Sequence, residues 1–169
     1  MLEIEGQGTP FLLIHGYADS ADTWRPLLRE LAAAGRPAAA IDLRGFGTAE
    51  ELADGAMLPQ WDAMVAEAIE HVSRNAGGEE VIVAGNSLGG ALSLRAAERD
   101  DLPVAGIVPI APAGLHMARW FPIIESSQLI RLIRYSPLPV PETVVKQIVS
   151  RVYRETICLT TVSGTGRGE

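Results

Sequence analysis

The sequence predicts an α/β fold, a mostly parallel sheet flanked by helices, and three observations carry that expectation. Apolar runs of strand length alternate with segments of helical period, glycines and prolines punctuate the junctions, and 169 residues are enough for one sizeable core but short for two. Strands separated by helix-length segments pair in parallel through crossover helices.

Taken in order, "LEIEG" leaves room for a single strand before Phe11. "PFLLIH" at 10–15 reads as a buried strand. "TWRPLLRELAAAG", from Thr23, reads as a helix stopped by Gly35, whose lack of a Cβ suits the left-handed position after a helix end. "PAAAID" at 37–42 is the next strand. In "PQWDAMVAEAIEHVSRNAGG", Trp61, Met64, Val65, Ala68, Ile69 and Val72 form one stripe, which predicts an amphipathic helix packed on the sheet. "EVIVAGN" is a third central strand, "SLGGALSLRAAERD" a helix, and "VAGIVPIAP" a fourth strand.

After Ala113 the pattern changes. Residues 114–155 are helical in period and broken by Pro122, Pro137, Pro139 and Pro141, and the tail 156–169 passes from β-branched residues to glycines. Residues 1–113 are therefore expected to form the sheet domain, 114–155 a helical cap-like segment and 156–169 an irregular tail.

Composition narrows the function. Fourteen Lys and Arg against 21 Asp and Glu give a formal charge of -7, and no basic stretch alternates with aromatics, so nucleic acid is not an expected partner. The one cysteine, Cys158, excludes an internal disulfide framework and a multi-cysteine metal site. No metal or cofactor is expected. The N-terminus lacks the basic start and apolar stretch of a signal peptide, and no apolar run approaches the roughly 18 residues of a membrane span, so a cytoplasmic protein is expected.

The chemistry concentrates around Ser87. A serine hydroxyl is a weak nucleophile near neutral pH and needs a base to take its proton and donors for the oxyanion that forms. "Gly85-Asn86-Ser87-Leu88-Gly89" follows a strand and opens a helix, the setting of a nucleophile elbow, where small residues at 85 and 89 fit a tight turn. The competing reading is a glycine-rich turn whose serine caps the helix. "LLIHGYADSADTW" then places His15-Gly16 at the end of an earlier strand, with Gly16 permitting a turn that points an N–H inward. The oxyanion donors would be the backbone N–H groups of Tyr17 and Leu88. "DLRGFG" at 42–47 ends the intervening strand, where open α/β sheets put their sites.

With these three motifs in this order, residues 12–113 resemble the α/β-hydrolase superfamily, in the branch whose oxyanion loop carries His-Gly. The resemblance implies that Ser87 is the nucleophile, that Tyr17 and Leu88 supply the oxyanion hole, and that a helical cap begins after Ala113. Serine at 87, where epoxide hydrolases and haloalkane dehalogenases carry aspartate, favours acyl transfer to water from an ester or related small acyl substrate. The family's acid and histidine follow on loops after later strands. Only one strand follows Ser87, so the hydrolase core is expected to be incomplete, with the chain ending before both groups.

Of the three histidines, His15 precedes Gly16 in the oxyanion loop and is expected to be a structural hydrogen-bonding group. His71 flanks the Trp61–Val72 stripe and is expected to be structural. His116, after the fourth strand, lies nearest to where a base would be needed but is expected to be a pocket-lining or solvated group, and only remote Glu125 offers an acid beside it. Asp42 and Arg44 are expected to fix their loop by hydrogen bonds, and Asp19 and Asp22 to serve the loop and helix start. "GTGRG" near the C-terminus has no helix behind it and is a weak phosphate-loop lookalike. Trp120 and Phe121 are candidate substrate-binding residues. Their segment has four readings: a lining for an acyl pocket, an ordinary core between cap helices, a contact with a membrane surface helped by the nearby Arg119, Arg131 and Arg134, or an exposed patch that invites self-association, as would an open sheet edge. A catalytically incomplete hydrolase-like fold that binds a hydrophobic small molecule or a partner chain is the alternative to an enzyme.

Overall fold

The computed structural model is divided into Met1–Ile130 and Arg131–Glu169, and only the first contains described residues. Residues 1–113 are described. The cap-like segment and tail expected at 114–155 and 156–169 lie outside them, as do His116, Trp120, Phe121, Glu125 and Cys158.

The elements run β1 (Leu2–Ile4), β2 (Phe11–Ile14), a 3₁₀ turn (Ala21–Trp24), α1 (Arg25–Ala33), β3 (Ala38–Ile41), α2 (Met57–Asn75), β4 (Val81–Asn86), α3 (Leu88–Ala97) and β5 (Val104–Ile110). They build one sheet of order β1-β3-β2-β4-β5. Only the β1/β3 pair is antiparallel; β2 pairs in parallel with β3 and β4, and β4 with β5. The expected α/β class holds, with a mixed edge at β1.

Side chains alternate across the sheet because successive strand residues face opposite sides. Leu12, Ile14, Ala39, Ile41, Val81 and Val83 meet Trp61, Val65, Ile69 and Val72 of α2 and Leu88 and Leu92 of α3 in one core. Leu13, Ala38, Ala40 and Ala84 meet Trp24 and Leu28 on the opposite face. The small alanines make room there for the indole.

Two helix ends were legible as glycines. Gly35, at φ +65°, donates to Ala32 O, and Arg36 N–H donates to Leu31 O. After α2, Gly77 N–H donates to Arg74 O and Gly78 N–H to Ser73 O. Both pairs satisfy the last helical carbonyls in the Schellman pattern.

Two helix starts differ from expectation. The segment from Thr23 is not one helix: Ala21–Trp24 is a 3₁₀ turn and α1 proper begins at Arg25, with Pro26 in its first turn, where no N–H is needed. The second long helix starts at Met57, ahead of the expected Pro59, because Pro59 falls within the first turn and breaks no helical bond. Among the described residues no helix is long and apolar enough to cross a membrane.

β5 is the last described strand on its side. Val104 and Ile107 pack onto the α2/α3 core, whereas Val108 and Ile110, 47% and 44% exposed, lie on the face that carries Ala84.

Candidate active site

Strain marks the C-terminal edge of the sheet. Among the described residues, the non-glycine residues at positive φ are Ala18, Ser87 and Ala111, in the turns after β2, β4 and β5 respectively. Such conformations cost of order 1–3 kcal/mol each and tend to gather at functional sites. The sequence flags only Ser87, since an alanine carries no signal for positive φ.

Ser87 has φ 51° and ψ -108° and makes no side-chain capping bond to α3. The helix-cap reading of this serine therefore fails, and its hydroxyl is not spent on the helix. The backbone is braced instead. Ser87 N–H donates to Ile110 O at 2.9 Å, and Ser87 O accepts from Ala91 N–H at 3.0 Å and Ala113 N–H at 2.9 Å. The elbow thus leans on the end of β5.

The flanking glycines are needed for space. A Cβ on Gly85 would collide with the Gly89 carbonyl, and one on Gly89 with the Ile14 carbonyl, with His15 O only 2.8 Å away. At Gly90 the nearest atoms would be Gly85 O at 3.0 Å and Pro112 Cα at 3.1 Å. Helix α3 therefore sits directly on the β2/β4 backbone, as the spacing of these glycines predicts.

The His15-Gly16 loop reaches the same place. In the parallel register Ile14 pairs with Gly85, so the next residues along β2 run beside Asn86 and Ser87. A Cβ on Gly16 would lie 3.6 Å from Ser87 Cβ and from Asn86 O. One expectation changes here. Gly16 is not at positive φ, so its smallness keeps the loop close to Ser87 rather than permitting a turn; the left-handed residue of the loop is Ala18.

His15 is fully buried. Its Nδ1 lies 2.6 Å from Gly16 O, and Leu43 N–H donates to its Nε2 at 2.9 Å. Both ring nitrogens are occupied by backbone. Phe46 stands edge-on to His15, with centroids 5.8 Å apart, and to Tyr17 at 5.1 Å, while stacking on Trp61 at 6.1 Å. Trp61 Nε1–H in turn donates to Arg44 O. Phe46 was visible in "DLRGFG" but had no periodic context to show that it touches the rings of His15 and Tyr17.

Asp42 fixes two loops. Oδ1 accepts from Ala21 N–H at 2.7 Å, and Oδ2 accepts from Thr48 N–H at 3.0 Å and the Thr48 hydroxyl at 2.9 Å. A Cβ on Gly47, at φ +55°, would collide with this carboxylate. Burial alone would push the Asp42 carboxyl up, but the bonds from Ala21 and Thr48 favour the ionised form and hold it below the ordinary range. The resulting stability is complete above the unfolded pKa of about 3.9 and is lost as pH falls through the lower folded value. Asp42→Asn is expected to lose about 1–3 kcal/mol at pH 7, because an amide presents a donor where donors already point. It should also lose less stability than the parent on acidification below about pH 4. Urea midpoints at pH 7 and pH 3 measure both effects.

The remaining candidates stand apart from the elbow. His71 Nε2 lies 2.8 Å from Glu3 Oε1 and 3.0 Å from Asn75 Nδ2, tying α2 to β1. Asp19 accepts from Ser20 N–H, and Asp22 pairs with Arg25, the loop and helix-start roles expected of them. Neither described histidine is placed to take a proton from Ser87. Among the described residues no group of His, Cys, Asp and Glu could hold a metal ion.

A mostly parallel sheet with helices on both faces, a strained serine between β4 and α3, and a His-Gly loop against that serine together make the arrangement of an α/β-hydrolase. Residues 9–154 match the family described as serine aminopeptidase, S33, and the chain belongs to this family of α/β-hydrolases. Among curated relatives, it is 33% identical over 102 residues to a thermostable monoacylglycerol lipase of Bacillus sp. (strain H-257), covering 60% of this chain and 40% of the lipase. It is 28% identical over 109 residues to the pimeloyl-[acyl-carrier protein] methyl ester esterase of Aliivibrio salmonicida (strain LFI1238), covering 64% and 38%. Among solved structures, it is similar to one of the metagenome-derived lipolytic enzymes LipS and LipT, with a TM-score of 0.59 and 29% identity, over 82% of this chain and 52% of the other. The chain thus spans about half or less of the length of these proteins.

Proposed function

We propose that these residues carry the nucleophile and oxyanion half of a serine hydrolase site that acts on carboxylic esters. The single observation behind this reading is the Ser87 backbone, strained at φ 51° while its hydroxyl caps nothing. In the proposed reaction Ser87 Oγ attacks the ester carbonyl carbon as its proton passes to a base, and the carbonyl oxygen becomes an oxyanion facing Tyr17 N–H and Leu88 N–H. As the first residue of α3, Leu88 has an N–H with no partner within the helix, at the positive end of its dipole. Collapse of the intermediate expels the alcohol and leaves an acyl-enzyme that water hydrolyses. Ester substrates are favoured by serine at 87 and by the lipase and esterase names of the relatives.

The base and its acid are not among the described residues. A site lacking them keeps oxyanion and binding contributions, about 10³–10⁴-fold over water in triad knockouts of other serine hydrolases. A fluorophosphonate probe tests the first step alone, because phosphonylation needs an activated Ser87 hydroxyl but no later attack by water. The expected result is stoichiometric labelling that intact mass and peptide mapping assign to Ser87. A folded chain that stays unlabelled at millimolar probe would remove the hydrolase reading. The exposed Val108 and Ile110 would then favour the alternative, a hydrolase-like fold that binds a hydrophobic molecule or partner chain.

A further inference from the structure

We infer that His15 is a positioning residue for the oxyanion hole, acting on the Gly16–Tyr17 peptide from behind; the inference rests on the Ser87 reading above. Leu43 N–H is solely a donor, so the Nε2 that it binds carries no proton. The proton of the neutral ring is therefore on Nδ1, and Gly16 O, solely an acceptor, lies 2.6 Å from it. The tautomer is dictated by two backbone groups rather than by solvent, which the fully buried ring does not meet.

The consequence passes through one rigid unit. Gly16 O belongs to the same planar peptide as Tyr17 N–H, and with no cis peptide bond in the described chain the two point in opposite directions. Holding the carbonyl against the buried imidazole turns the Tyr17 N–H to the other side of the loop. Phe46 braces the same peptide by touching the rings on both sides of Gly16. Asp42 anchors the far end of the loop through Ala21 N–H. Residues 42–46, after β3, thus hold the donor loop after β2 at both ends, so that the donor direction is fixed before substrate arrives. Such preorganisation is what makes an oxyanion donor effective.

Two variants divide the roles of the ring. His15→Asn keeps an N–H for Gly16 O and is too short to serve Leu43, whereas His15→Gln reaches toward Leu43 N–H and gives up the Nδ1–H contact. The expected result is a crossover. His15→Asn is the less stable but restores most of the fluorophosphonate inactivation rate at Ser87, and His15→Gln is the more stable but falls about tenfold or more in that rate with unchanged probe affinity. Ring ¹⁵N shifts in the parent chain should report protonated Nδ1 and bare Nε2, a readout that needs no activity and no variant. A protonated Nε2, or inactivation rates that follow stability instead of the Gly16 contact, would overturn the positioning role while leaving Ser87 labelled. A parent chain that is folded and unlabelled overturns the Ser87 reading and this inference together.

Discussion

Ser87→Gly is expected to unfold at a higher urea concentration than Ser87→Ala, although both abolish fluorophosphonate labelling. Alanine keeps a Cβ at φ 51°, ψ -108°, where L side chains clash with their own backbone, and glycine does not. Glycine gives back part of that gain through the greater freedom of its unfolded chain. The net difference should be about 1 kcal/mol in favour of glycine, read from matched urea melts. Equal midpoints, or a less stable glycine variant, would mean that the elbow stores no strain. The loss of labelling should be complete in both, because no second serine occupies the turn.

Gly89→Ala should have the larger effect on stability. The added methyl meets the Ile14 carbonyl oxygen and lies 2.7 Å from Ile14 C and 2.8 Å from His15 O, all backbone atoms of the central strand. Rotamer changes cannot relieve this, so α3 must lift from β2. Overpacking costs typically 1–3 kcal/mol and more where backbone has to move, so a loss of about 3 kcal/mol or more is expected. That is a large share of the roughly 5–15 kcal/mol that stabilises a domain. Any folded Gly89→Ala should also label slowly, since Leu88 N–H and the Gly16 loop shift with the helix. Gly35→Ala is the contrast: a Cβ there meets nothing within 4 Å, so only the positive φ penalty, about 1 kcal/mol, should appear. A Gly89→Ala midpoint no lower than that of Gly35→Ala would show that the close approach of α3 to β2 is not tight.

The order of strands and helices, the glycine stops after α1 and α2, and the serine elbow were all legible in the sequence. Each is a local matter: period 2 or 3.6 in apolar residues, a missing Cβ where φ turns positive, or small residues at fixed spacing around one turn. That His15 and Asp42 take hydrogen-bond partners within the fold was also legible, since a charged or polar group at the end of a buried strand must find partners. Which partners they take was not. His15 meets Leu43 and Asp42 meets Ala21, across 28 and 21 residues of chain, and those pairings exist only because β2 and β3 lie side by side in register. The antiparallel β1, the 3₁₀ turn that splits the first helix, the positive φ of Ala18 and Ala111, and Phe46 against the rings of His15 and Tyr17 follow the same rule. The sequence by itself determined which residues form strands, helices and the elbow, because local sterics and periodicity decide those. Only the tertiary structure decided which backbone groups the buried polar side chains hold, because hydrogen bonds between loops depend on how the sheet is ordered.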